Sequence, residues 1–152
     1  MQKTTPFLWF NDKAEEAANF YVGIFPNSKI ISVTPTREDA LYAMVTFELD
    51  GQEYIAFNGG PAFAFTEAVS LMVKCETQEE LDYYWTHLSA GGKEVQCGWL
   101  QDKYGLFWQI TPSVLEKWLQ NGTPEQKKNY MAAMMQMVKL DIKALEQAYE
   151  NA

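Results

Sequence analysis

The sequence predicts an α+β protein in which two βαβββ modules form a curved mixed sheet and C-terminal helices follow. Three observations support this fold class. The chain has 152 residues, 47% of them hydrophobic, which suits one domain with a well-formed core. Its segments show either the two-residue period of strands or the three- to four-residue period of helices. The order of these segments occurs twice, at an offset of 64 residues.

The internal repeat places Pro6 to Glu16 over Ser70 to Glu80 and then Phe20-Tyr21 over Tyr84-Trp85, without a gap. Each half reads as an apolar strand, an acidic helix start, an aromatic helix end, a turn marked by Gly or Pro, and a new strand. We expect a single domain over residues 1–152, with module one at about 4–60 and module two at about 68–112.

The first module is predicted to begin with a strand and a helix, with Asn11 or Asp12 as the helix N-cap. A further strand follows the break at Pro26-Asn27, and Asp50-Gly51 between two apolar alternating runs is typical of a β-hairpin. The predicted ranges, in chain order, are strand 7–10, helix 14–24, strand 29–34 and the hairpin strands 42–49 and 53–57.

The second module is predicted to repeat this order, with a helix start at Thr77 that resembles a capping box and a turn at Asp102 to Gly105 that we interpret as structural. Its predicted ranges are strand 70–75, helix 77–88, strand 94–100 and strand 106–110.

Residues 113–152, hereafter the tail, lie outside the repeat and are predicted to be helical, with a capped start at Thr123-Pro124. An apolar stripe runs along this helical segment from Tyr130 to Tyr149, and such a stripe must be covered. Either the same chain covers it or a second copy does. We predict a homodimer, with the modules exchanged or not exchanged between chains.

Composition excludes several partners. The formal net charge is −8 and no stretch concentrates basic residues, so a nucleic-acid partner is not expected. The sequence contains neither a signal peptide nor a run of membrane-spanning length, so no membrane partner is expected either. Cys75 and Cys97 form no CxxC pair and no disulfide framework, which favours a cytoplasmic location.

Several segments resemble the PhnB-like branch of the vicinal oxygen chelate superfamily, which includes glyoxalases, bleomycin-resistance proteins and dioxygenases. These segments are TPFLWF, AEEAANFY, FPNSKI, FNGGPAF, CGWLQDKYG and WQITP. The resemblance covers residues 4 to 112 and is expected to extend into the tail. It implies the glyoxalase-like fold of two βαβββ modules, with a ligand cleft on the concave side of the sheet. The branch is often labelled a 3-demethylubiquinone-9 3-methyltransferase domain.

The resemblance also implies where a metal would bind. Superfamily members hold a divalent ion with His and Glu side chains at four strand positions, which in this chain read Pro6, Ser70, Gln109 and either Ala56 or Asn58. None of these residues is an imidazole or a carboxylate, and His87, the only histidine, falls on the predicted second helix. We therefore expect no bound metal and no cofactor.

The sequence also argues against the methyl transfer that the label implies. A cofactor-binding glycine turn leads from a strand into a helix, whereas Asn58-Gly59-Gly60-Pro61 leads into a loop. The proline beside the glycines removes an amide donor.

Six residues are candidates for contact with a small-molecule ligand. Gln109 can both donate and accept a hydrogen bond, and Lys74 shares a strand face with Ser70, where it either binds an anionic ligand or is simply exposed. Cys97 is interpreted as a small buried thiol in preference to a nucleophile, because no histidine lies in the strands to activate it. The full set is Ser70, Lys74, Trp99, Gln109, Asn58 and Cys97.

These observations leave the class of function open. The first hypothesis is a small-molecule-binding protein or a metal-independent enzyme with an apolar cleft. The alternatives are a metal-dependent lyase, isomerase or dioxygenase of the same superfamily, and a purely structural interaction protein. The sequence identifies neither the ligand nor any catalytic residue.

Overall fold

The structure is a computed structural model that describes residues 2–35 and 43–151. The chain divides into two compact units, Met1–Phe65 and Thr66–Ala152. Each unit contains one four-stranded mixed sheet. The predicted α+β class with two βαβββ modules is confirmed, and each module forms a sheet of its own.

In the first unit, the sheet has the strand order β1-β4-β3-β2, in which β1 and β4 are parallel and the other pairs are antiparallel. Asp50 and Gly51, with φ of 48° and 85°, form the two-residue turn between β3 and β4. The elements are β1 (Phe7–Phe10), α1 (Ala14–Ile24), β2 (Lys29–Pro35), β3 (Ala43–Leu49) and β4 (Gln52–Asn58). The predicted start of the third strand at residue 42 lies outside the described residues.

In the second unit, the sheet has the corresponding order β5-β8-β7-β6, again with one parallel pair, β5 with β8. The elements are β5 (Leu71–Cys75), α2 (Gln78–Ser89), β6 (Lys93–Glu94), β7 (Trp99–Gln101) and β8 (Phe107–Pro112). Because the two sheets share strand order and direction, the internal repeat in the sequence corresponds to a repeat in topology.

Each sheet is covered on one face by the helix of its own unit. Alternate residues of a strand point to opposite faces, so alternating burial identifies the helix side, except in β8, where Phe107 and Thr111 are buried on the other face. In the first unit these are Leu8, Phe10, Val45, Phe47, Tyr54 and Ala56, and in the second they are Val73, Cys75, Leu100, Trp108 and Ile110. We call the other side of each sheet its open face.

The predicted strand 94–100 is wrong in its middle. The chain forms β6, then a 3-10 turn at Gln96–Gly98, and only then β7. Cys97 and Gly98 have φ of 62° and 82°, and their amides donate hydrogen bonds of 2.8 Å to the carbonyls of Met137 and Val138. The turn therefore forms against a part of the tail distant in sequence, which a local pattern does not reveal.

The N-cap of α1 also differs from the prediction. Lys13 occupies the cap position and its side chain makes no capping bond, so neither Asn11 nor Asp12 is the cap. The side chain of Asn58, at the end of β4, supplies the acceptor instead, with its Oδ1 2.8 Å from the amide of Ala14. At α2 the cap is as predicted, since Thr77 Oγ1 accepts from the amide of Glu80.

The tail forms three separate helices, so the predicted apolar stripe does not run along one continuous helix. Thr123 caps the second of them, as predicted, and forms a full capping box with Gln126, but that helix ends at Met134. Trp118 stacks on Tyr149 with ring centroids 4.4 Å apart, and Tyr130 packs beside both rings. Within the predicted stripe Tyr130 and Leu145 are thus buried in their own unit, whereas Val138 is 39% exposed. The helices are α3 (Val114–Asn121), α4 (Pro124–Met134) and α5 (Ile142–Glu150).

One side chain of α2 fixes the tail. Gln78 Oε1 accepts from the amide of Ile142 at 2.8 Å, and Gln78 Nε2 donates to the carbonyl of Leu140 at 3.1 Å and to Asp82 Oδ1 at 2.8 Å. Lys139 Nζ lies 3.0 Å from the same carboxylate. The hydrogen bond from Gln78, with the contact to Lys139, lowers the pKa of Asp82.

Among the described helices, none is long and apolar enough to cross a membrane.

We predict that Gln78→Ala loosens the tail. The substitution leaves the amide of Ile142 and the carbonyl of Leu140 without their partners, which lowers the free energy of unfolding by about 1–3 kcal/mol. Urea denaturation measures this loss, and faster deuterium exchange in α5 locates it. Gln147→Ala, at an exposed position of α5, is the matched control and is expected to change stability by less than about 0.5 kcal/mol. Equal effects of the two substitutions would contradict this account of the tail.

Candidate functional site

The open face of the second sheet brings together four of the six candidate residues. Lys74 lies on β5, Trp99 on β7 and Gln109 on β8, and Ser70 directly precedes β5. The register pairs Trp99 with Gln109, which places both side chains on one face. Gln109 Nε2 donates to Ser70 Oγ at 2.8 Å. The neighbouring strands β5 and β8 are therefore linked by side chains as well as by backbone.

A pocket of about 350 Å³ lies at the end of this open face. One wall comes from β5, β8 and Ser113, and the other comes from α3 and α4. Most of the lining is apolar, and three of the side chains are methionines, which adapt to ligands of different shape. The lining residues are Met72, Lys74, Thr111, Pro112, Ser113, Leu115, Glu116, Leu119, Tyr130, Met131 and Met134.

The two charged residues of this lining pair with each other. Lys74 Nζ, from the sheet, lies 2.9 Å from Glu116 Oε2, in the first turn of α3. Their side chains are 53% and 59% exposed, so the pair lies at the solvent side of the pocket. An ion pair with this exposure contributes no more than about 1 kcal/mol to stability. It nevertheless determines the charge that a ligand encounters there.

The other two candidates lie elsewhere. Asn58 is buried on the helix-facing side of β4, where it caps α1, and it does not line the open face of its sheet. Cys97 is half-buried in the 3-10 turn and its backbone is hydrogen-bonded to the tail.

Burial, together with the charge of Glu80, raises the pKa of the other cysteine, Cys75, to about 12. Cys75 therefore stays a thiol at neutral pH and is not an activated nucleophile.

Asp102 has a structural environment, as the sequence suggested for this turn. Its side chain is buried, and Oδ1 accepts from the amides of Tyr104 at 2.8 Å and Leu106 at 3.1 Å. Its Oδ2 accepts from the indole Nε1 of Trp108 at 2.8 Å. The carboxylate thus holds the turn before β8 and the largest buried ring of the second unit.

The four strand positions implied for a metal do not present metal ligands. In the first unit Ala56 and Asn58 point towards the helix, and the open-face positions of β4 are Glu53, Ile55 and Phe57. Ser70 and Gln109 bond to each other. Over residues 2–35 and 43–151, no group of three or more His, Cys, Asp or Glu side chains could hold a metal ion.

The glycine segment after β4 packs against an aromatic ring. A Cβ on Gly59 would lie 2.3 Å from the Trp9 ring, so only glycine fits there. The indole Nε1 of Trp9 donates to the carbonyl of Gly60 at 3.0 Å. The ring of Trp9 also contacts Phe57 and Phe63, with centroids 5.3 Å and 4.9 Å away. These glycines hold a tryptophan on the open face of the first sheet, and they do not begin a helix.

Two comparisons relate the chain to known proteins. Residues 2–111 match the family model described as 3-demethylubiquinone-9 3-methyltransferase. Among solved structures, the PhnB protein from Bacillus cereus is 38% identical, with a TM-score of 0.67, over 72% of this chain and 99% of that chain. A search of curated proteins found no match.

Two more distant structures show the same fold. Protein PA1353 from Pseudomonas aeruginosa is 15% identical, with a TM-score of 0.62, over 74% of this chain and 98% of that chain. The fosfomycin resistance protein FosX from Listeria monocytogenes is 17% identical, with a TM-score of 0.60, over 78% of this chain and 96% of that chain. At these identities the likeness concerns the fold alone.

The family match ends at Thr111, so α3, α4 and α5 lie outside it. More than half of the residues that line the pocket belong to α3 and α4. The pocket is therefore built jointly by the family domain and by the tail.

We predict that Asp102→Ala destabilises the protein by about 3 kcal/mol, because it leaves two amides and a buried indole without an acceptor. Asp102→Asn keeps one oxygen for the amides but presents an NH₂ group to the indole, so it also destabilises, by a smaller amount. Urea denaturation measures both. Asp12→Ala, an exposed aspartate at the end of β1, is the control. If Asp102→Ala cost no more than the control, the structural role would be refuted.

Proposed function

We propose that this chain binds a small apolar molecule. The chain belongs to the 3-demethylubiquinone-9 3-methyltransferase family, and so to the PhnB-like branch of the vicinal oxygen chelate superfamily. The ligand occupies the pocket between the open face of the second sheet and helices α3 and α4. One observation carries this proposal: an apolar pocket of about 350 Å³ whose lining includes Lys74 and Met72, the strand partner of Gln109. Small-molecule sites combine such a volume with a few polar groups.

The family label does not extend to a reaction. Folds host many chemistries, so function has to be inferred from the site. In this chain the glycines that could suggest a cofactor turn pack under Trp9. We therefore keep the proposal to binding, with Lys74 as the polar contact in the lining, the methionines as the apolar wall, and Gln109 and Ser70 farther along the same sheet face.

The tail supports this proposal through its attachments. The turn at Cys97 and Gly98 holds Met137 and Val138, and Gln78 holds Leu140 and Ile142, so the segment that joins α4 to α5 is bonded at both ends. Tyr130, a lining residue that is 3% exposed, packs against the buried Trp118. A wall held in this way is formed before a ligand arrives, which lowers the entropic cost of binding.

We also propose a homodimer in the cytoplasm, on different grounds from the tail stripe. Strand β2 lies at an edge of the first sheet, and its Ile31 and Val33 are 46% and 44% exposed. Phe7 and Phe63, beside the open face of that sheet, are 50% and 66% exposed. Exposed apolar side chains beside an unpaired strand edge are typical of a contact between chains.

Light scattering at micromolar concentration is expected to give the mass of a dimer, and Val33→Lys is expected to shift it towards the monomer, because a charge at an edge strand opposes pairing. Val138→Lys, at an apolar tail position of similar exposure, is the control and should leave the dimer intact. A monomer mass for the unmodified chain would contradict the dimer without touching the binding proposal.

The binding proposal is tested with N-phenyl-1-naphthylamine, an uncharged apolar dye that fluoresces when it is shielded from water. We expect saturable binding of one dye per chain. Met131→Glu puts a charge into the apolar lining and should weaken binding at least about tenfold, since an unpaired charge is costly to desolvate.

Met135→Glu is the matched control for this substitution. Met135 follows α4 directly and is 65% exposed, but it does not line the pocket. The dissociation constant of the dye for Met135→Glu should stay within about twofold of that for the unmodified chain, because the side chain at this position already lies in water. Absence of saturable binding, or equal loss in both variants, would refute a binding site in this pocket.

A further inference from the structure

We infer that the ion pair between Lys74 and Glu116 makes the pocket selective for uncharged ligands that carry an oxygen acceptor at one end. The inference rests on the proposed binding function and adds the chemical class of the ligand. These two side chains are the charged members of the pocket lining. Each comes from a different wall, so a ligand that enters the pocket meets both.

The pair disfavours ligands with a single charge. A carboxylate can reach the Lys74 ammonium only by displacing Glu116, which is tethered 2.9 Å away and therefore present at a high effective concentration. The displaced Glu116 would then remain unpaired beside a second negative charge. An amine must in turn displace Lys74 from Glu116, which would leave the Lys74 ammonium unpaired beside a second positive charge. The formal net charge of −8 opposes an anion further.

An uncharged acceptor avoids this competition. A lysine ammonium carries three donors, and one of them is directed at Glu116 Oε2. A hydroxyl, ether or carbonyl oxygen can accept a hydrogen bond from another donor while the ion pair stays intact. The apolar body of the same molecule then lies against Met72, Leu115 and Met134. The ligand class is thus an uncharged, largely apolar molecule with one terminal oxygen.

The test compares three straight-chain molecules of equal length, 1-decanol, decanoate and decylamine, as competitors of bound N-phenyl-1-naphthylamine at pH 7.5. At this pH the carboxyl group and the amine are both ionised. We expect decanol to displace the dye from the unmodified chain at a concentration about tenfold lower than either charged molecule, the factor that corresponds to about 1.4 kcal/mol.

Two substitutions should change this order in opposite directions. Glu116→Gln releases Lys74 and should improve displacement by decanoate about tenfold relative to decanol. Lys74→Met releases Glu116 and should improve displacement by decylamine by a similar factor. Glu125→Gln and Lys117→Met change the net charge in the same way at exposed positions outside the lining, so they should leave all three ratios unchanged.

The outcomes separate this inference from the binding proposal. If the dye binds and Met131→Glu removes it, but decanoate competes as well as decanol or Glu116→Gln leaves the ratio unchanged, the ion pair is no selectivity device and only the inference fails. If the dye does not bind the unmodified chain, both are refuted. Because all four exchanged positions are exposed, loss of folding is not expected, and circular dichroism of each variant checks it.

Discussion

Each sheet of this protein has two faces, and its module supplies a single helix to cover them. In the first unit α1 covers the side that carries Leu8, Val45 and Phe47, and in the second α2 covers the side that carries Val73, Leu100 and Trp108. Period-two alternation then leaves every intervening residue on an open face. In the second unit this face carries Ser70, Lys74, Trp99 and Gln109, while in the first it carries an aromatic group around Trp9. The candidate site exists because the second helix cannot cover both sides of its sheet.

The tail converts part of the second open face into a pocket. It lies outside the residues that match the family model. It is nevertheless hydrogen-bonded to the module by Gln78 and by the amides of Cys97 and Gly98, and the buried side chain of Leu140 packs beside Gly98. Its helices α3 and α4 then form the second wall of the pocket. The family domain thus supplies the sheet, and the tail supplies the wall opposite to it. A tail of different sequence on the same domain would give a pocket of different size and charge, which is consistent with one fold serving several ligands.

Local periodicity was sufficient for most of the fold. The repeat, the bounds of α1 and the hairpin at Asp50-Gly51 all depend on contacts between near neighbours, and the structure confirms them. The failures share one cause, a partner distant in sequence. Asn58 caps α1 from another strand, and the tail turns Gln96–Gly98 away from the predicted strand. The same division holds for the site. Alternation placed Ser70 and Lys74 together, but nothing local indicated that Glu116 would pair with Lys74 or that α3 and α4 would close the pocket.

The binding pocket is tested most directly by nuclear magnetic resonance of a sample with ¹³C-labelled methionine methyl groups, titrated with N-phenyl-1-naphthylamine. Methionines are spread over both units, and three of them, Met72, Met131 and Met134, line the pocket. Met44 lies in the first sheet, and Met135 and Met137 follow α4 outside the lining. The account predicts that the methyl signals of the three lining residues shift together with one dissociation constant while those of Met44, Met135 and Met137 stay in place. Shifts at Met44 alone, or equal shifts at all methionines, would contradict a ligand site between the second sheet and the tail.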